Sequence, residues 1–219
     1  MIRSVWLLGA IAFIALAGTA CSARKPLPIV NADSAATCLP GERGFLRLSL
    51  RGAIEQNLDW RGADLHCEGG ARPSGGGVRV SFAGPTSTPS GKLRVVFGIA
   101  APPGALASTN RATNLTVIVE GQQRLYATLG DDKCQVESLA QQPLNITAKD
   151  GGSEGVAVNA GANAGRHAYR IAARGYCLEP VATLDGSERL YINRFDFAGV
   201  ADFEDGDLHT SGAHIAPSG

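Results

Sequence analysis

Leu46, Leu48 and Leu50 alternate with Arg47, Ser49 and Arg51, so one face of this segment is apolar and the other polar. The same period of two recurs in Val78-Arg79-Val80-Ser81-Phe82 and in residues 93–99. It returns in residues 167–172 and 190–197. Residues 115–119 are β-branched and almost wholly apolar, as a strand buried on both sides would be. Residues 124–128 follow after Gly121-Gln122-Gln123, a spacing that predicts a hairpin. Alternation bounded by Gly, Pro, Asn and Asp is the mark of half-buried strands. One buried face per strand fits antiparallel better than parallel sheet. The pattern therefore predicts an all-β, mainly antiparallel β-sandwich of the jelly-roll or Ig-like kind.

Two segments break the period. Residues 50–58 and 136–142 read as short helices, the second stopped by Pro143. Polar, Gly-rich loops are expected at 69–77, 84–91, 102–113 and 149–165. The stretch 100–113 is a candidate divide between two halves. A Phe-Ala-Gly tripeptide follows a strand in each half, at 82–84 and 197–199.

The N-terminus carries a different signal. Arg3 is the only charge in the first twenty residues, and an apolar run continues from Val5 to Leu16. It is short of the ~20 residues that a membrane-spanning helix needs. Small residues Gly18 and Ala20 lead to Cys21. A positive start, an apolar run and small residues make a secretory signal, and they also suit ordinary cleavage after Ala20. The cysteine at the first mature position resembles the lipobox of bacterial lipoproteins. That resemblance implies cleavage before Cys21, acylation of its thiol and a membrane anchor. Ser22, where Asp would signal inner-membrane retention in this family, implies the outer membrane, facing the periplasm or the cell surface. The organisation expected is a signal peptide at 1–20, the lipidated cysteine and a tether at 21–37, a β-sandwich at 38–203 and a frayed tail at 204–219.

Cysteine parity agrees with an anchor. The five cysteines are Cys21, Cys38, Cys67, Cys134 and Cys177. If Cys21 carries lipid, the other four form two disulfides in an oxidising compartment. Four cysteines allow three connectivities. Local pairing favours Cys38–Cys67 and Cys134–Cys177.

Charge narrows the partners. The chain has 20 Lys+Arg and 20 Asp+Glu, a formal net charge of zero, which gives no global field for nucleic acid. Arginine is concentrated on polar strand faces, at Arg47, Arg51, Arg79, Arg94, Arg170 and Arg174. If these strands share a sheet, the face would be an arginine stripe able to hold phosphate or carboxylate groups of an anionic glycan or an envelope protein. Trp60, with Tyr126, Tyr169, Tyr176 and Tyr191, is the candidate platform for sugar stacking.

Catalytic and metal signals are weaker. Residues 151–155 match G-x-S-x-G around Ser153, but no strand precedes them and no helix follows, as a nucleophile elbow requires. His167 is in phase with Tyr169 and Ile171 and reads as a hydrogen-bonded core histidine. His66 beside Cys67 lacks the repeated ligand spacing of a zinc site. Asp202, Glu204, Asp205 and Asp207 are weak candidates for a hard cation, without EF-hand spacing. No cofactor and no metal are expected. The function expected is that of a non-enzymatic envelope lipoprotein with a binding or scaffolding role. The alternatives are a carbohydrate-binding module-like lipoprotein and a hydrolase using Ser153.

Overall fold

The computed structural model describes residues 38–39, 44–73, 76–87, 91–122, 124–128, 133–144 and 165–209. The strands are β1 (Phe45–Gly52), β2 (Gln56–Arg61), β3 (His66–Ala71), β4 (Val78–Pro85), β5 (Lys92–Ile99) and β6 (Ala107–Glu120). They continue as β7 (Arg124–Ala127), β8 (Cys134–Pro143), β9 (Arg166–Cys177), β10 (Val181–Thr183), β11 (Arg189–Tyr191) and β12 (Phe195–Glu204). A short helix, α1 (Asp205–His209), closes the described chain. Every strand pairing is antiparallel. The predicted all-β antiparallel class is correct.

Two layers emerge from the pairings. One runs β3-β4-β5-β6-β7, and the other runs β2-β1-β12-β9-β8. They share β6: its residues from Thr113 onward pair with β5, while those from Ala107 to Thr113 pair with β8. At the other margin β10 and β11 carry the hydrogen bonding from β7 to β1. Backbone pairing thus runs in a closed ring through β1, β12, β9, β8, β6, β7, β10 and β11. Closure removes most of the exposed edges that an open sheet would present.

The layers meet through phenylalanines. Phe82 and Phe97 come from one layer and Phe195 and Phe197 from the other, all within 1% of full burial. Phe97 lies 4.4 Å from Phe197 and 4.9 Å from Phe195, and Phe82 lies 5.1 Å from Phe197. Burying such side chains contributes about 1.5–3 kcal/mol each. The alternation read from the sequence explains why they meet: Leu46, Leu48 and Leu50, and Leu93, Val95, Phe97 and Ile99, all point inward.

Both expected disulfides are present. Cys38–Cys67 ties the entry segment to β3, and Cys134–Cys177 joins facing residues of β8 and β9. Cys21 lies outside the described residues.

Four expectations need correction. Residues 50–58 are not helical: β1 turns at Gly52, whose φ is +103°, and β2 returns with Leu58 and Trp60 inward. Glu55 closes this turn by accepting a hydrogen bond from the Gly52 N–H at 2.8 Å. Residues 136–142 belong to β8, where a bulge lies between Val136 and Ser138. The extra residue, Glu137, separates inward Val136 from inward Leu139 by three positions, which imitates helical spacing. Residues 107–113 are strand rather than loop, so they join the layers instead of dividing the chain. The tail expected from 204 begins instead with helix α1, whose Leu208 packs on the core and whose first N–H, that of Asp205, donates to Gly165 O at 3.0 Å.

Candidate functional site

The outer face of the second layer carries a groove of about 450 Å³. Strand pairing builds it. Asp59 of β2, Arg47 of β1, Asp196 of β12 and Arg174 of β9 face one another in a single cross-strand row. Opposite charges therefore alternate across four strands. Arg47 Nε lies 3.6 Å from Asp59, and Arg174 Nε lies 3.6 Å from Asp196. Arg61 also holds Asp59, through two hydrogen bonds of 2.8 and 3.1 Å. The Arg61 guanidinium, with Arg47 beside it, keeps the Asp59 carboxyl below the usual carboxylate range.

A second polar row borders the groove. Ser49 Oγ donates to Asn57 Oδ1 at 2.8 Å, and Arg51 Nη2 donates to the same oxygen at 3.1 Å. Arg194, exposed just before β12, faces the groove and forms no ion pair with another described residue. Glu137, the bulge residue, lines the groove, and Asn110, opposite it in the β6–β8 register, has φ +52°. Bulges re-aim side chains and concentrate near functional surfaces. Asparagine is among the few residues that tolerate positive φ.

The arginines expected to form one stripe divide between two faces. Arg47, Arg51, Arg170 and Arg174 lie on the outer face of the second layer. Arg79 and Arg94 lie on the outer face of the first. Arg94 is fully engaged: it reaches Glu120 at 3.0 Å, Glu68 at 3.1 Å and Ser81 Oγ at 3.3 Å. The division follows from the fold, because strands with identical alternation lie in different layers.

Trp60 is an interior residue, 5% exposed, and not a stacking platform. Its Nε1 donates to Pro85 O at 3.0 Å, and its ring covers Gly84. Tyr126 is buried, Tyr169 packs against Phe203 at 5.5 Å, and Tyr176 donates to Gln135 at 3.2 Å. Among the aromatic candidates only Tyr191 is largely exposed, at 51%.

The acidic residues near the C-terminus do not converge. Asp207 accepts a hydrogen bond from the Glu204 N–H at 3.0 Å, and Asp205 holds His167 Nε2 at 2.6 Å. Among the described residues no group of three His, Cys, Asp or Glu could hold a metal ion. His167 is exposed rather than a core histidine, because β9 loses its inward alternation at that end. Ser153 and its motif lie outside the described residues.

One cluster escaped the sequence. Arg124, Tyr126 and Glu188 meet where β7 approaches the β10–β11 hairpin. The buried Tyr126 hydroxyl donates to Glu188 Oε2, and Arg124 Nη2 lies 2.8 Å from the same oxygen. Burial, then the bond to Glu188, pushes the Tyr126 phenol up. The Tyr126 hydroxyl, then Arg124, holds the Glu188 carboxyl down. In the adjoining turn Asp185 accepts from Thr183 Oγ1, Ser187 N and Ser187 Oγ, which hold it down to about 2. Glu188 lies 62 residues from Tyr126, so no local pattern could have announced the pairing.

No family model matches the chain, and no match is found among curated proteins or solved structures.

Proposed function

We propose that the chain is an exported, lipid-anchored protein of the bacterial envelope that binds a partner without chemically transforming it. The signal and Cys21 support the address. The two disulfides fit an oxidising compartment and leave Cys21 as the odd thiol. The reading places the anchor in the outer membrane, with residues 22–37 as spacer. The partner carries anionic groups, as an acidic envelope glycan or protein surface does.

The observation that carries the binding role is the groove that gathers Arg47, Arg174 and Arg194 beside Ser49 and Asn57. Guanidinium groups present planar forks that match carboxylate and phosphate, and Arg194 is not already neutralised by a described carboxylate. A carbohydrate module that stacks sugars on Trp60 gains no support, since that ring is interior.

Two measurements test the reading. Mass spectrometry of the mature N-terminus should find an acylated Cys21; an unmodified Cys21 overturns the anchor. Binding to an array of envelope glycans should weaken about tenfold in Arg194→Ser, the scale of one charge-assisted contact. Equal binding by this variant overturns the groove.

A further inference from the structure

Two opposite charges on the walls of the second-layer groove are left unpaired among the described residues. Arg194 immediately precedes β12, and Glu137 is the bulge residue of β8. Both are exposed and both line the groove, yet neither pairs with the other or with any other described residue. The remaining arginines of the groove are answered across the strands, Arg47 by Asp59 and Arg174 by Asp196. Strand β9 runs between β8 and β12 and places Arg174 and Gly175 between the two walls. Neighbouring strands lie about 4.8 Å apart, so the two wall backbones stand roughly 10 Å apart.

The Arg194 end carries further donors. The β1–β12 register pairs Leu48 with Phe195, so one step on it sets Ser49 beside Arg194, and Ser49 faces Asn57 of β2. Ser49 Oγ and Arg51 Nη2 both donate to Asn57 Oδ1, which fixes the orientation of that amide. The Asn57 Nδ2 group keeps its N–H donors free of any described acceptor, on an exposed residue that lines the groove. Arg194 and Asn57 Nδ2 therefore offer donors alone, and the Glu137 carboxylate offers acceptors alone. A ligand that answers both ends carries an anion at one end and a cation at the other.

We propose that this groove takes a short peptide as a zwitterion, with its free carboxylate at Arg194 and Asn57 and its free ammonium at Glu137. The planar guanidinium fork matches a carboxylate, and the Asn57 amide supplies a further donor. Two extended residues span about 7 Å, a length commensurate with walls roughly 10 Å apart. The carboxylate of an acidic glycan would answer Arg194 alone and would bring like charge towards Glu137. An amine without a carboxylate would answer Glu137 alone and meet the arginines. The inference rests on the binding role proposed above and names the class of partner for that same groove.

The test is an amide NMR titration of the oxidised full chain in detergent micelles with dialanine, N-acetyl-dialanine, dialanine amide and glucuronate. Dialanine should shift the Glu137 and Asn57 signals saturably and bind about fivefold more tightly than each comparator, the upper scale of one exposed ion pair. Glu137→Gln should bring dialanine down to the level of N-acetyl-dialanine, and Arg194→Ser should bring it down to the level of dialanine amide. Glu137→Lys should make N-acetyl-dialanine the tighter of the two. These side chains are exposed, so the urea midpoint should not move and the variants report on binding alone. Dialanine no tighter than N-acetyl-dialanine or glucuronate overturns the proposal, as does a preference for the free amine that survives Glu137→Gln. If glucuronate and N-acetyl-dialanine match dialanine and all three weaken in Arg194→Ser, the groove stands as an anion site and only the peptide class falls. If no probe responds to Arg194→Ser, the groove itself falls.

Discussion

The Phe82 ring occupies the space that a side chain at Gly199 would need. A Cβ at Gly199 would lie 2.8 Å from Phe82 Cζ and 2.9 Å from Val80 Cγ1. The glycine of the other Phe-Ala-Gly tripeptide is covered in a similar way: Gly84 lies under the Trp60 ring, whose Cδ2 would stand 2.5 Å from an added Cβ. Each tripeptide thus supplies a core phenylalanine and, two residues on, a glycine that admits an aromatic ring.

These contacts predict that Gly199→Ala and Gly84→Ala destabilise the fold by overpacking. Phe82 and Trp60 are packed on all sides and have no flexible end to move aside. The expected loss is about 1–3 kcal/mol for each, read from the urea midpoint at unchanged slope. Changes below about 0.5 kcal/mol, the level of ordinary surface substitutions, would mean that the rings shift easily.

The disulfides give a second prediction. They close loops with sequence separations of 29 and 43 residues. By the loop-entropy relation, each removes about 3.5–4 kcal/mol of unfolded-state freedom. Replacing either pair by alanine should lower stability by that order. The pair Cys134/Cys177 should also show faster amide exchange along β8 and β9, because it lies between two directly facing strand residues. An unaltered urea midpoint in the Cys38/Cys67 double variant would show that the entry segment adds no constraint.

The strands were legible wherever apolar positions kept a strict period of two, as in Leu46-Leu48-Leu50 and Val95-Phe97-Ile99. They were missed where local geometry altered the period. Glu137 inserted one residue, and Gly52 turned the chain within a run rich in helix formers. Residues 107–113 had no apolar face to read, since that part of β6 pairs at a margin where most positions are exposed. The arginines were correctly placed on polar faces, but alternation says nothing about which layer a strand joins.

The Arg124–Tyr126–Glu188 cluster predicts a stability profile with two falling limbs. Glu188 is held below its unfolded value, so its contribution is present above the ordinary glutamate range and is lost as pH falls through and below it. The Tyr126 phenol is pushed above its unfolded value near 10. Its contribution is complete below that value and is lost as pH rises through it towards the folded value. Glu188→Gln should flatten the acid limb, leaving the residual slope to groups such as Asp185, held down to about 2. Tyr126→Phe should flatten the alkaline limb and also weaken the acid one, because the tyrosine hydroxyl is the largest influence holding Glu188 down. Urea unfolding from pH 3 to pH 11 reads both. If Tyr126→Phe altered only the alkaline limb, Arg124 alone would hold the Glu188 carboxylate, and the buried hydroxyl would have no part in its acidity.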